Sequence, residues 1–191
     1  NDIVKLGADI DMEMDAWTPH TFSGTFDGQN HRLYHINCVG TEKDSWAGFI
    51  HTLSGTAVLK NLVIGSDDGV AYDGCSIFKL ENAEASDIWR YAGVVAKTYN
   101  CTATIDNVQN FVSVEVGATD NGKTCIGGIC ADWNSEGGVT NCLNYGSIEN
   151  KGNSYTDSNQ SCVAGVVARI DKTDITMEGC YNYGSVTISG A

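Results

Sequence analysis

Short apolar runs, rich in Val and Ile, recur along the chain between clusters of Gly, Asn, Asp and Ser. Four of them align on a small residue followed by glycine: Trp46-Ala47-Gly48-Phe49-Ile50, Tyr91-Ala92-Gly93-Val94-Val95, Ile126-Gly127-Gly128-Ile129-Cys130 and Val163-Ala164-Gly165-Val166-Val167. The anchor glycines Gly48, Gly93, Gly128 and Gly165 stand 45, 35 and 37 residues apart. A second block follows each anchor, at Leu59-Lys60-Asn61-Leu62, Ile105-Asp106-Asn107-Val108, Val139-Thr140-Asn141-Cys142 and Met177-Glu178-Gly179-Cys180. Runs this short, bounded by turn formers and lacking a 3.6-residue period, predict strands and exclude a helical solenoid.

A repeating unit of this length points to a solenoid, a propeller or an array. A propeller blade needs four antiparallel strands joined by hairpins, whereas only two strong strand blocks recur here. The expected fold class is therefore all-β: a right-handed parallel β-helix (solenoid) of about four imperfect turns with an N-terminal cap. It forms a single β-helix repeat domain over 1–191, with 1–45 as the cap and first turn and 46–191 as the repeats. Equivalent residues on neighbouring turns then stack about 4.8 Å apart.

Stacking gives the recurrent asparagines a role. Asn110, Asn144 and Asn182 share one repeat position, and Asn107 and Asn141 another. They are expected to form structural ladders at bends, where asparagine also tolerates left-handed backbone. Trp17 is expected to cover the open end of the coil. The anchor strands are apolar on both faces, as in sheets covered on both sides. Their outer face should be covered by the insertion between Gly65 and Ala92, by segment 6–17, or by a second copy of the chain, with most weight on the insertion.

The segment Leu6-Gly7-Ala8-Asp9-Ile10-Asp11, then Trp17-Thr18-Pro19-His20 and Phe22-Ser23-Gly24-Thr25-Phe26-Asp27-Gly28-Gln29-Asn30-His31, resembles the opening of bacterial GLUG-repeat proteins. The pattern continues through Ala47-Gly48-Phe49 and Val58-Leu59-Lys60-Asn61-Leu62. The resemblance implies a right-handed β-helix in secreted or surface-attached bacterial proteins, adhesin-like or accompanying a protease domain. It transfers no catalytic residues. The extra cysteines and the stretch between Gly65 and Ala92 depart from that pattern.

Composition narrows the partners. The 191 residues carry 11 basic and 24 acidic side chains, a formal net charge of −13. That balance argues against nucleic acid and anionic membrane surfaces, both of which attract clustered Lys and Arg. No stretch has the roughly 20 apolar residues of a membrane span, so direct membrane insertion is not expected. Eight cysteines in an exported chain suggest disulfides. The repeat frame instead stacks Cys125 on Cys162 and Cys142 on Cys180 as small core fillers, with free thiols favoured and zinc disfavoured.

No nucleophile elbow, zincin helix, P-loop or dinucleotide fingerprint is present, and no cofactor is implied. Asp67, Asp68 and Asp73 are the candidate carboxylates, for catalysis or for a metal ion, although acids in a Gly-rich loop are commonly just solvated. Trp133, Asp132 and Tyr99 fall where turns should begin after anchor strands. They are the candidate ligand-binding residues, since exposed aromatics beside acids and amides stack on sugars or anchor proteins. The expectation is a non-enzymatic extracellular repeat domain of a bacterial cell-surface protein. It would serve as an adhesion module or structural spacer, with a glycan or a host or surface protein as ligand and neighbouring domains in a longer chain. A polysaccharide-active lyase or glycosidase on a β-helix scaffold is the alternative.

Overall fold

The computed structural model describes residues 2–42, 45–65, 76–82, 86–120, 122–152, 161–172 and 174–189. Among these residues there is no helix, and so none long and apolar enough to cross a membrane. Every strand pairing is parallel. The strands form three sheets. One holds the Ala-Gly anchors, one holds the asparagine columns, and a third holds the remaining strands.

The N-terminal stretch supplies β1 (Ile3–Lys5) and β2 (Ile10–Asp11) to the asparagine sheet. Next, β3 (His20–Phe22) joins the anchor sheet, β4 (Thr25–Asp27) and β5 (Arg32–Tyr34) the asparagine sheet, and β6 (Asn37–Gly40) the third sheet. The same order recurs in β7 (Ala47–Leu53), β8 (Val58–Ile64) and β9 (Ile77–Leu80), then in β10 (Ser86–Thr98), β11 (Thr102–Asn110) and β12 (Ser113–Val116). In the following pass β13 (Gly122–Gly127) and β14 (Cys130–Trp133) share the anchor sheet, β15 (Glu136–Thr140) and β16 (Leu143–Asn144) the asparagine sheet, and β17 (Ile148–Asn150) enters the third. The last pass repeats this with β18 (Ser161–Ala164) and β19 (Val167–Ile170), β20 (Ile175–Glu178) and β21 (Tyr181–Asn182), and β22 (Val186–Ile188).

The described strands thus make five passes through the three sheets after the partial start of β1 and β2. The sequence separates only four repeats because the first pass, β3 to β6, lacks the Ala-Gly anchor. The stretch between Gly65 and Ala92 is not wholly an insertion, since β9 supplies the third-sheet strand from within it.

Register places apolar residues in columns facing the interior. Phe26, Leu59, Ile105, Val139 and Met177 are successive cross-strand partners, as are Cys38, Phe78, Val114, Ile148 and Val186 in the third sheet. Leu59, Ile105 and Val139 are fully buried, each gaining about 1.5–3 kcal/mol from leaving water. Met177 and Val186, on the last pass, are 43% and 42% exposed because they have a neighbour on one side only. At the other end Trp17 stacks on Phe49 at 5.7 Å and its Nε1–H donates to the Phe49 carbonyl at 2.9 Å.

Two polar columns set the bends of the asparagine sheet. Asn30, Asn61, Asn107, Asn141 and Gly179 occupy one position, and all five have left-handed φ between 52° and 63°. The Asn107 amide donates to Asn61 Oδ1 at 3.0 Å and to Asn30 Oδ1 at 3.2 Å, while Asn61 donates to Asp27 at 3.0 Å. Asn141 does not bond to Asn107; its amide donates to Asp106 Oδ1 at 2.9 Å. The second column is buried at Asn110 and Asn144: Asn110 donates to Asn144 Oδ1 at 2.8 Å, and Asn144 to Oδ1 of the exposed Asn182 at 2.7 Å. Each also donates to a carbonyl two residues on, at Val112, Gly146 and Gly184.

The second column explains the anchors. A Cβ on Gly128 would collide with the Asn144 amide and the Gly165 carbonyl, and one on Gly165 would collide with the Asn182 amide. The glycines leave the space that the buried amides fill. A buried ion pair ties the anchor sheet to the third sheet: Arg90 bonds Asp120, and its Nη2 donates to the Gly40 carbonyl at 2.7 Å.

Asn144→Ala leaves the Asn110 amide, the Asn182 Oδ1 and the Gly146 carbonyl without this partner, so it should lower stability by at least ~2 kcal/mol. Urea unfolding measures this, and a change below ~0.5 kcal/mol would show that the buried column contributes nothing.

Candidate functional site

Parallel register on the outer face of the anchor sheet aligns Thr52, Lys97, Asp132 and Arg169 in one column. A second column aligns Tyr91, Cys125 and Cys162. Residues distant in sequence therefore converge on one patch. At its base Tyr91, Ala96, Cys125 and Ala131 are buried, and Trp46, Trp89, Cys162 and Ala168 pack against them.

Among the described residues, these side chains lie over the doubly apolar strands; residues 66–75 and 83–85 of the stretch between Gly65 and Ala92 lie outside the described residues. Trp46, just before β7, and Trp89 from β10 provide cover; Trp89 alone of the two comes from the stretch between Gly65 and Ala92. Segment 6–17 does not contribute a strand there, because β2 pairs with β5 and Ala16 bridges to Asn37.

Asp132 is the centre of the patch. Its side chain is 1% exposed, with Lys97 Nζ 3.6 Å from Oδ2 and Arg169 Nε 3.8 Å from Oδ1. Oδ1 makes no hydrogen bond. Burial pushes the carboxyl above its ordinary 3.8, against the opposing pull of Arg169 and then Lys97. Burial and the adjacent Asp132 charge likewise hold the Tyr91 phenol well above its usual range.

Aromatic rings surround the two cations. Lys97 Nζ lies 5.9, 5.2 and 5.1 Å from the ring centres of Trp46, Tyr91 and Tyr99. The Arg169 guanidinium lies 5.0 Å from Trp89 and also pairs with Asp171 at 2.7 Å. Trp46 stacks flat on His51 at 3.9 Å. The His51 pKa is lowered by burial, and by His20 and Lys97 after it. Tyr99 is 52% exposed and forms the open rim.

Of the residues singled out from sequence, Asp132 and Tyr99 belong to this patch and Trp133 does not. Trp133 is fully buried and its Nε1–H donates to the Ser135 carbonyl at 2.8 Å. Its ring packs in the interior core, so it offers no surface to a ligand. Asp67, Asp68 and Asp73 lie outside the described residues. Among the described residues no three His, Cys, Asp or Glu side chains are grouped to hold a metal ion. Sequence reasoning missed Trp46, Trp89, Lys97 and Arg169; the signal available was that Lys97 and Arg169 stand four residues after their anchor glycines, as Asp132 does, whereas Trp46 and Trp89 share no repeat position.

A second aromatic row, Phe111, Tyr145 and Tyr183, stacks at 4.6 and 5.1 Å beside a groove lined by Ser113, Ser147, Ser185 and Glu115. Its rings stack face to face on one another, and Tyr183 is 64% exposed. No family model, no curated protein and no solved structure matches the chain.

The raised Asp132 pKa sets a pH dependence. The neutral acid is favoured in the fold, so this group's contribution to stability is full below 3.8 and is lost as pH rises through the raised value. Asp132→Asn removes that dependence. Relative to wild type, the variant should compare best at pH 7 and progressively worse toward pH 4 in thermal unfolding. The opposite slope would mean that Lys97 and Arg169 hold the carboxylate charged against its burial.

Proposed function

We propose that the chain is a right-handed parallel β-helix serving as a non-enzymatic extracellular repeat domain of a bacterial cell-surface protein, akin to GLUG-repeat proteins. It acts as an adhesion module within a longer chain, and its ligand is a glycan bound across the anchor-sheet patch. Three sheets of parallel strands, visited repeatedly in one order, support the architecture. The phrase from Phe22 to His31 supports the family.

The patch supports the ligand class. Trp46, Trp89 and Tyr99 each have a cation against the ring, on a rigid sheet, with Tyr99 half exposed. Aromatic faces stack on the apolar faces of sugar rings, while Lys97 and Arg169 donate to hydroxyl or carboxylate oxygens. This combination is the observation that carries the reading.

The perturbed Asp132 favours a second reading, a polysaccharide-active enzyme, because shifted carboxyls mark acid–base sites. Its 1% exposure argues against direct contact with a substrate. Glycoside hydrolysis also needs two carboxyl groups flanking the scissile bond, and Asp171 is engaged by Arg169.

Incubation with a panel of plant and host glycans separates the readings. Retention without turnover is expected, and Tyr99→Ala or Trp89→Ala should weaken it by about tenfold, the equivalent of one aromatic contact. New reducing ends or unsaturated products would establish the enzyme instead. Failure to retain any glycan, with retention of a protein ligand, would remove the glycan assignment.

A further inference from the structure

Two cysteine pairs join the last two passes: Cys125 and Cys162 lie at the base of the anchor-sheet patch, while Cys142 and Cys180 belong to the interior core. Cys125 on β13 and Cys162 on β18 are direct cross-strand partners. Cys142 and Cys180 lie between the paired residues Thr140 and Glu178 on one side and Leu143 and Tyr181 on the other. The Tyr181 N–H also donates to the Cys142 carbonyl at 3.0 Å, so the second pair is in register too. Adjacent strands stand about 4.8 Å apart, inside the Cα separation of about 4.4–6.8 Å that a disulfide spans.

We propose that Cys125 with Cys162, and Cys142 with Cys180, are disulfide-forming sites that staple the terminal pass β18 to β22 onto the pass before it. All four are thiols in the structure. The role of core filler fits the buried Cys125 and Cys142, whereas Cys162 and Cys180 are only half-buried and open to a reagent.

The location matches the mechanical need. In a stacked architecture each pass gains stability from its neighbours, and a terminal one has half the usual contacts. Tyr181, Tyr183 and Ile188 on this pass are 57%, 64% and 68% exposed. Cross-links at residues 125 and 162 and at residues 142 and 180 would close long loops in the unfolded chain, the case in which a disulfide removes most unfolded-state freedom.

Each pair also has an attacking and a resolving member. The neighbouring Cys125 thiol lowers the Cys162 thiol below its usual range, and Cys142 does the same for Cys180. The neighbouring thiol, and then burial, pushes Cys125 and Cys142 upward. Against a small disulfide such as oxidised glutathione, the Cys162 or Cys180 thiolate attacks one sulfur and expels the first glutathione thiolate, leaving a mixed disulfide. The inner thiol then gives up its proton and attacks the protein sulfur of that bond, releasing the second glutathione. Each turn oxidises two protein thiols and reduces one glutathione disulfide to two thiols.

The test treats the reduced full chain with oxidised glutathione, quenches by acid and alkylation, and measures intact mass and linked peptides. The expected result is four fewer alkylated thiols, two per disulfide, with links joining residue 125 to 162 and residue 142 to 180. The oxidised chain should unfold about 5 °C or more above the reduced one. A Cys162→Ser, Cys180→Ser double variant should show neither change. An unchanged count of alkylated thiols, persistent glutathione adducts, or links through other cysteines would overturn the proposal on wild-type protein alone, whether or not the variant folds.

Discussion

Parallel backbone pairing between equivalent strands underlies every other feature of this molecule. Each strand takes its hydrogen bonds from the equivalent strand one pass away, so a slip of one residue would turn its apolar side chains outward and its polar ones inward. The amides of Asn110, Asn144 and Asn182, the first two buried, oppose such a slip, because each bonds both its counterpart and a carbonyl two residues on. A displaced amide would be left unpaired inside the core, at a cost of about 1–3 kcal/mol each. Backbone and side-chain pairing therefore enforce the same alignment.

Much of this alignment is legible in the amino-acid sequence itself. The Ala-Gly anchors are true partners at Ala47 with Ala92 and Gly48 with Gly93, and Asn110, Asn144 and Asn182 share one column as their spacing predicts. One detail differs. Tyr91 pairs with Cys125 but Val95 pairs with Cys130, so one extra residue is taken up between β13 and β14 at the adjoining glycines Gly127 and Gly128. The third sheet is illegible because its strands are only three or four residues long, too short for any periodicity to register. Asn30 and Asn61 escape the first column because Asn30 sits in the Asp-Gly-Gln-Asn turn, where asparagine needs no further explanation.

The candidate patch is half legible for a related reason. Asp132 and Tyr99 stand out locally, but their partners come from three other places in the chain, and stacking alone brings them together. Trp133 misleads because adjacent residues on a strand leave opposite faces: Asp132 meets the cations outside while Trp133 fills the interior. Enclosing Asp132 is costly in isolation. Lys97 and Arg169 offset part of that cost, and the rings around them keep both cations close to the sheet.

The left-handed column of Asn30, Asn61, Asn107, Asn141 and Gly179 has a consequence for how such chains change over time. Its members are separated by 31, 46, 34 and 38 residues, yet they sit directly above one another. Length is therefore free to vary at the corners between sheets while the bend residues act as fixed mileposts. Insertions and deletions can accumulate there without disturbing the strands, which lets one scaffold present many different outward loops while its interior stays the same.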